Sequence, residues 1–236
     1  MALDTLFESI YIINLDHRTD RWQRISEQLN SMGIHRFERF AAVTFDDDNL
    51  QHQALLVRME RFARGEQTHM AKPTVACLLS HVQIVQLAKE RGQQQILICE
   101  DDCELLPEFL ARWPQAEAEL NQLDWDMIFI GGKRAKGVKG ESVSRHWERL
   151  TQVKEAHCYG LRSATFDDII ALGDTAESPI DWYYAFDLQE RYIALMLKRF
   201  LARQAAGFSD IGQNYVDSRM RDQSTWRKWC RRYFGL

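Results

Sequence analysis

The 236-residue chain carries 30 Lys and Arg against 34 Asp and Glu, and a formal charge of −4 argues against general nucleic-acid binding, which needs a basic surface. With 45% hydrophobic and 27% charged residues it has the composition of a soluble globular protein, long enough for one large α/β domain or a domain with a small appendage. No apolar run approaches a membrane span, and Met1 to Glu8 has no basic stretch before an apolar core, so a cytoplasmic location is expected.

Strand and helix signals alternate, which predicts a largely parallel sheet covered by helices. Ser9 to Leu15 reads as the first strand. Trp22, Ile25, Leu29 and Met32 then recur at helical spacing, with Asp20 as cap and Gly33 as stop. Phe37 to Val43 reads as a second strand, and Asp46 to Gly65 as a loop with a short helix. The triplet Asp46-Asp47-Asp48 imitates a metal motif but follows no buried apolar run, so a solvated turn is expected. Thr74 opens a helix that ends at Gly92. Pro107 to Leu123 reads as helical, with Pro114 kinking or dividing it. Trp125 to Ile130 is a strand stopped by Gly131-Gly132, and Lys133 to Gly140 is a basic loop, either a lid over an anionic ligand or a solvated connection. His157 to Leu161 reads as a strand and Ser163 to Leu172 as a helix; beyond Asp181 the pattern is aromatic and ambiguous.

The segment richest in chemistry is Ile96-Leu97-Ile98-Cys99-Glu100-Asp101-Asp102, a buried-strand pattern that ends in three acids. Extended backbone sends Glu100 and Asp102 to one side and Asp101 to the other. Crowded carboxylates at a strand end repel one another unless a cation offsets them, and a divalent metal carrying a phosphorylated ligand is the usual one. A solvated acidic turn is the alternative. The first strand runs into Asn14-Leu15-Asp16-His17-Arg18-Thr19-Asp20-Arg21, polar and cationic groups that suit a nucleotide. There is no G-x-G-x-x-G or G-x-x-x-x-G-K-[ST]. Ser80-His81 sits in an otherwise apolar helix, where a lone His is more often a core residue. The five cysteines (Cys77, Cys99, Cys103, Cys158, Cys230) show no C-x-x-C spacing, which argues for reduced thiols and against a zinc site or a disulfide framework.

Taken together these pieces resemble a family. Ile12 to Arg21 is similar to the "INLDxRxDR" opening of glycosyltransferase family 25, Ala76 to His81 to its "GCxxSH" segment and Leu97 to Asp102 to its "hhhEDD" strand end. Ala156-His157-Cys158-Tyr159 resembles its "AHAY" strand, Pro179-Ile180-Asp181 its "PVD" and Gly207 to Ile211 its "SDI" close. Ala76 stands where the family has Gly, and Gln204 is the loosest match.

The resemblance implies a GT-A-like α/β fold with a mostly parallel central sheet flanked by helices, spanning residues 1–215 as one domain. It implies an inverting transferase that moves a hexose, galactose by the family's habit, from a UDP-sugar to a saccharide or lipid-linked glycan acceptor in bacterial lipopolysaccharide or surface-glycan synthesis. Mn²⁺ or Mg²⁺ would be held by Asp102 with Glu100 in support. Asn14, Arg18, Arg21, Ser80, His81, Glu100 and Asp210 would bind the nucleotide sugar, and Asp101 would be structural. Asp181 would be the general base, with a helix cap as its plain alternative and Asp210 as its competitor. Trp182, Tyr183 and Tyr184 could form an apolar platform for an acceptor sugar. The basic, aromatic tail over residues 216–236 reads either as a helix on the cytoplasmic face of an inner membrane or as a docked terminal helix. Two other readings stay open: a relative that binds nucleotide sugars without transfer, and a metal-dependent phosphoesterase, for which no clear second ligand cluster is present.

Overall fold

The computed structural model describes residues 3–62, 70–212 and 214–216. The basic tail therefore lies outside the described residues, apart from Val216. In chain order, helix α1 (Leu3–Leu6) precedes strand β1 (Ser9–Asn14), helix α2 (Thr19–Ser31), strand β2 (Phe37–Ala41) and helices α3 (Leu50–Phe62) and α4 (Ala71–Glu90). Strands β3 (Gln95–Glu100) and β4 (Cys103–Leu105), helix α5 (Phe109–Leu120) and strand β5 (Met127–Phe129) follow. Next come β6 (Lys133–Arg134), β7 (Glu141–Ser142), β8 (Trp147–Arg149), β9 (Val153–Lys154) and β10 (Cys158–Arg162). Helices α6 (Phe166–Thr175) and α7 (Ile180–Tyr183) lead through a π-helical turn to α8 (Gln189–Arg191), and the described chain closes with β11 (Ala194–Leu197), β12 (Ala202–Gln204), β13 (Gly207–Ser209) and β14 (Asn214–Val216).

The fold is the expected α/β class. An eight-stranded sheet has the order β2-β1-β3-β10-β5-β11-β8-β7. All of its strands run in one direction except β8 and β10, each antiparallel to both neighbours. Apolar residues of β1 alternate between the two faces: Tyr11 and Ile13 join the core under α3, α4 and α6, whereas Ile10 and Ile12 join the core under α2 and α5. Burial on both faces explains why β1 and β3 read as continuous apolar runs. Gly160 lets β10 pass close to its neighbours; a Cβ there would lie 2.6 Å from the Phe7 ring and 2.9 Å from Ile128.

Several local expectations change. Helix α2 starts one residue before Asp20 and has no side-chain cap; Asp20 instead pairs with Arg18 at 3.1 Å, a hydrogen bond that holds its carboxyl down at about 2. Helix α3 is longer than expected because His52, Leu55, Leu56 and Met59 form a buried stripe that the surrounding polar residues obscure. Helix α5 runs through Pro114, whose position is exposed, so water can satisfy the carbonyl that the proline leaves unbonded. The basic loop is strapped down: β6 pairs with β9, Arg134 pairs with Glu148, and no residue from 133 to 140 lines any of the three cavities described below. No helix among the described residues is long and apolar enough to cross a membrane.

Candidate active site

Strands β1 and β3 lie side by side with Ile13 opposite Glu100, so Asn14 and the acids emerge together at the carboxyl edge of the sheet. The chain turns at Asp101-Asp102 into β4, which pairs with β12 through Cys103 opposite Gln204. That pairing brings Gln204 against the acids: its Nε2 donates to Asp102 Oδ2 at 2.9 Å, and the Ala205 N–H donates to the Asp102 carbonyl at 2.7 Å. A cavity of about 350 Å³ opens over this edge, and its wall includes Arg21, Ser80, His81, Glu100, Asp102 and Asp210.

Asp102 and Glu100 are tuned in opposite directions. Burial, and then the negative charge of Glu100, push the Asp102 carboxyl up to about 7 against the opposing pull of Gln204 and Arg21. Burial alone would raise Glu100 too, but His81, His157 and Arg21 outweigh it and hold its carboxyl below the usual range. Asp102 Oδ1 is buried with no hydrogen-bond partner. An orphaned carboxylate oxygen beside a second carboxylate is an all-oxygen donor set that fits a hard divalent cation.

The raised carboxyl has a consequence for stability. In metal-free protein, Asp102 keeps its proton when folded over a range in which the unfolded chain, with an ordinary value of 3.8, has lost it. Its contribution to stability should therefore fall as the pH rises from about 4 to about 7. Urea unfolding across that range should show the decline in the parent protein and a shallower one in Asp102→Asn.

Asp101, beside Asp102 in the turn, is held by protein groups. Its two oxygens accept from Arg21 Nη1 and Asn14 Nδ2, both at 2.8 Å, and the group is buried. Asn14 also donates to the Arg18 carbonyl at 3.0 Å and accepts from Arg39 Nε at 2.7 Å. Its amide is spent on joining β1 to the acidic turn, and it sits behind the cavity wall. Arg21 bridges several groups: beyond Asp101 it lies 3.8 Å from Asp102 and 3.4 Å from Asp210, and it donates to the Phe208 carbonyl. Arg18 holds Asp210 at 2.5 Å and lines a neighbouring cavity of about 240 Å³ that shares Arg21, Asp102 and Gln204 with the first. Ser80 is buried, donating to the Ala76 carbonyl at 2.8 Å and accepting from the Val43 N–H at 2.9 Å, which ties the loop after β2 to α4.

Asp181 belongs to a second cavity of about 290 Å³, which shares Cys77, Glu100, Gln204 and Ile211 with the first. Burial raises its carboxyl, the Glu155 N–H donates to its Oδ2 at 3.3 Å, and Glu100 adds repulsion. The aromatic platform divides. Trp182 lines this cavity with Lys154 Nζ 3.4 Å above its ring, Tyr183 bonds Arg191, and Tyr184 is fully buried against Tyr159.

Residues without an assigned role in the sequence complete the site. His157 also lines the second cavity, buried with neither ring nitrogen hydrogen-bonded. The imidazole packs on Gly131, where a Cβ would collide with it and lie 2.8 Å from the Ala202 carbonyl. Gly131→Ala is therefore expected to lower stability by about 1–3 kcal/mol in urea unfolding, because the backbone of Ala202 cannot swing aside. Gln204 was only a loose motif match, since nothing local announces that β12 pairs with β4.

A protein-family model described as Glycosyltransferase family 25 (LPS biosynthesis protein) matches residues 7–158. Procollagen galactosyltransferase 1 of Danio rerio is 33% identical over 146 residues, 59% of this chain and 24% of that protein. A glycosyltransferase 25 family member of Anopheles gambiae is 30% identical over 131 residues, 53% of this chain and 22% of its own length. The inactive glycosyltransferase 25 family member 3 of Homo sapiens is 27% identical over 144 residues, 58% of this chain and 24% of that protein. The aligned stretches thus span about a quarter of the length of these relatives. Among solved structures, a glycosyltransferase involved in the glycosylation of the major capsid of PBCV-1 has a TM-score of 0.49 and 10% identity, covering 93% of this chain and 98% of that one.

Proposed function

Because the chain belongs to glycosyltransferase family 25, we propose that it is an inverting, metal-dependent transferase with a GT-A-like fold. It moves a hexose, galactose in the first instance, from a UDP-sugar to a saccharide acceptor of a bacterial lipopolysaccharide or surface glycan. The observation that carries this reading is the pair of adjoining cavities that share Glu100 and Gln204, one containing Asp102 and the other Asp181.

In this reading the first cavity takes the donor. Asp102 and Glu100 hold Mn²⁺ or Mg²⁺, which when bound neutralises the departing diphosphate as a Lewis acid. Arg21 and Asp101 keep Asp102 in place, Arg18 and Asp210 close the neighbouring edge, and Ser80 and His81 form the wall. The second cavity takes the acceptor, with Trp182 as an apolar surface for a sugar ring. Asp181 removes the proton from the attacking hydroxyl, and its raised carboxyl sits closer to the working pH of a general base than an ordinary Asp does. In this reading the acceptor oxygen bonds to the anomeric carbon from the side of the second cavity, and Asp181 takes its proton. The bond to the diphosphate breaks toward the first cavity, the opposed attack and departure that inversion requires.

The test is a panel of UDP-sugars with Mn²⁺ and saccharide acceptors, read as released UDP. Transfer from one donor to one acceptor class supports the proposal. UDP that stabilises the protein in the presence of metal without any turnover would instead place it with a non-transferring relative, as the inactive human family member makes worth checking.

A further inference from the structure

Cys77 is the one cysteine among the described residues that is not buried. It lines both cavities, four residues before His81 on α4, so the two side chains share a helix face. Glu100 meets them from β3. Cys77 Sγ, a His81 ring nitrogen and a Glu100 carboxylate oxygen all lie within 4.8 Å of one another. His81 Nε2 lies 3.4 Å from Glu100 Oε1 and makes no hydrogen bond, although the ring is fully buried. Its other nitrogen, Nδ1, is tied to the Tyr159 hydroxyl at 2.7 Å, and that hydroxyl is 3.1 Å from the Tyr184 hydroxyl.

The geometry points to a second cation site, for a thiophilic divalent ion such as Zn²⁺, formed by Cys77 Sγ, His81 Nε2 and Glu100 and open to the cavity at its fourth position. Tetrahedral zinc with ligand bonds of about 2.0–2.3 Å sets ligand atoms about 3.3–3.8 Å apart. The His81–Glu100 separation of 3.4 Å already fits, and Cys77 Sγ, within 4.8 Å of both, would have to close by at most about 1 Å. A metal at Nε2 would require the ring proton on Nδ1, where the Tyr159 hydroxyl 2.7 Å away can accept it, the outer support that metal-binding histidines commonly have. The expectation against zinc rested on C-x-x-C spacing; here the helix and a neighbouring strand supply the ligands instead. This site is chemically distinct from the all-oxygen set at Asp102, and it does not depend on the protein being a sugar transferase. Because both sites draw on Glu100, filling this one competes with the other.

Co²⁺ titration of the full chain tests the site, since thiolate ligation produces an intense charge-transfer absorption that oxygen ligands do not. We expect one equivalent of Co²⁺ to give this band, and Zn²⁺ to bleach it by displacement. The band should vanish in Cys77→Ala and persist in Cys158→Ala, which alters the buried Cys99–Cys103–Cys158 cluster instead. Glu100→Gln should keep the band but weaken Co²⁺ affinity at least about tenfold, as loss of a ligand demands. Absence of the band in the parent protein, its survival in Cys77→Ala, or unchanged affinity in Glu100→Gln would each overturn the assignment.

Discussion

Asp102→Asn is expected to reduce sugar transfer by at least about 10²–10³-fold, the loss typical when one charge-stabilising group is removed from a reacting centre. It should also abolish the metal dependence of UDP binding. The variant keeps the shape of the side chain and its bond partner Gln204, which lies 2.9 Å away. What it removes is the carboxylate whose Oδ1 is buried without a partner. Folding should survive, because Asp101 rather than Asp102 carries the short bonds to Arg21 and Asn14. Calorimetric titration of UDP with and without Mn²⁺, paired with a transfer assay, separates loss of the metal from loss of the fold.

Asp181→Asn should behave differently. Removing a general base costs about 10²–10⁴-fold in rate, while donor affinity stays within about twofold because Asp181 does not line the cavity that contains Asp102. The amide can still accept the Glu155 N–H, now 3.3 Å from Oδ2, so the loop that carries it should hold. A collapse of UDP affinity in this variant would remove Asp181 from the role of base and return Asp210 to consideration. Asp210, however, already has its Oδ2 between Arg18 at 2.5 Å and Arg21 at 3.4 Å, and it does not line the cavity that contains Asp181.

Much of the frame could be read directly. Strands β1 and β3 and helix α4 announce themselves because their apolar residues are buried on both sides or all round, leaving long uninterrupted runs. The short strands did not, because β4, β12, β13 and β14 have three residues each and owe their existence to tertiary pairing rather than to local pattern. Strand β11 was hidden by the aromatic stretch before it, where a π-helical turn interrupts the 3.6-residue period. At the site, the gathering of acids at the carboxyl end of β3 followed from the apolar run, although Asp101-Asp102 form a turn beyond the strand and both carboxylates approach Arg21 Nη1, at 2.8 and 3.8 Å. The inward role of Asn14 did not, since a polar residue at a strand end looks the same whether it meets a ligand or a buried carboxylate. The link from Gln204 to Asp102 likewise depends on a β4–β12 pairing between segments about a hundred residues apart.

A metal-dependent donor site at the Glu100–Asp102 edge requires that UDP bind more tightly when the metal is present. The most direct measurement is UDP affinity of the intact chain at fixed pH, with Mn²⁺ present and with Mn²⁺ chelated, for the parent protein and for Asp102→Asn. We expect at least a tenfold gain in affinity with Mn²⁺ in the parent, about 1.4 kcal/mol, and none in the variant. Equal UDP affinity with and without metal in the parent protein would contradict it.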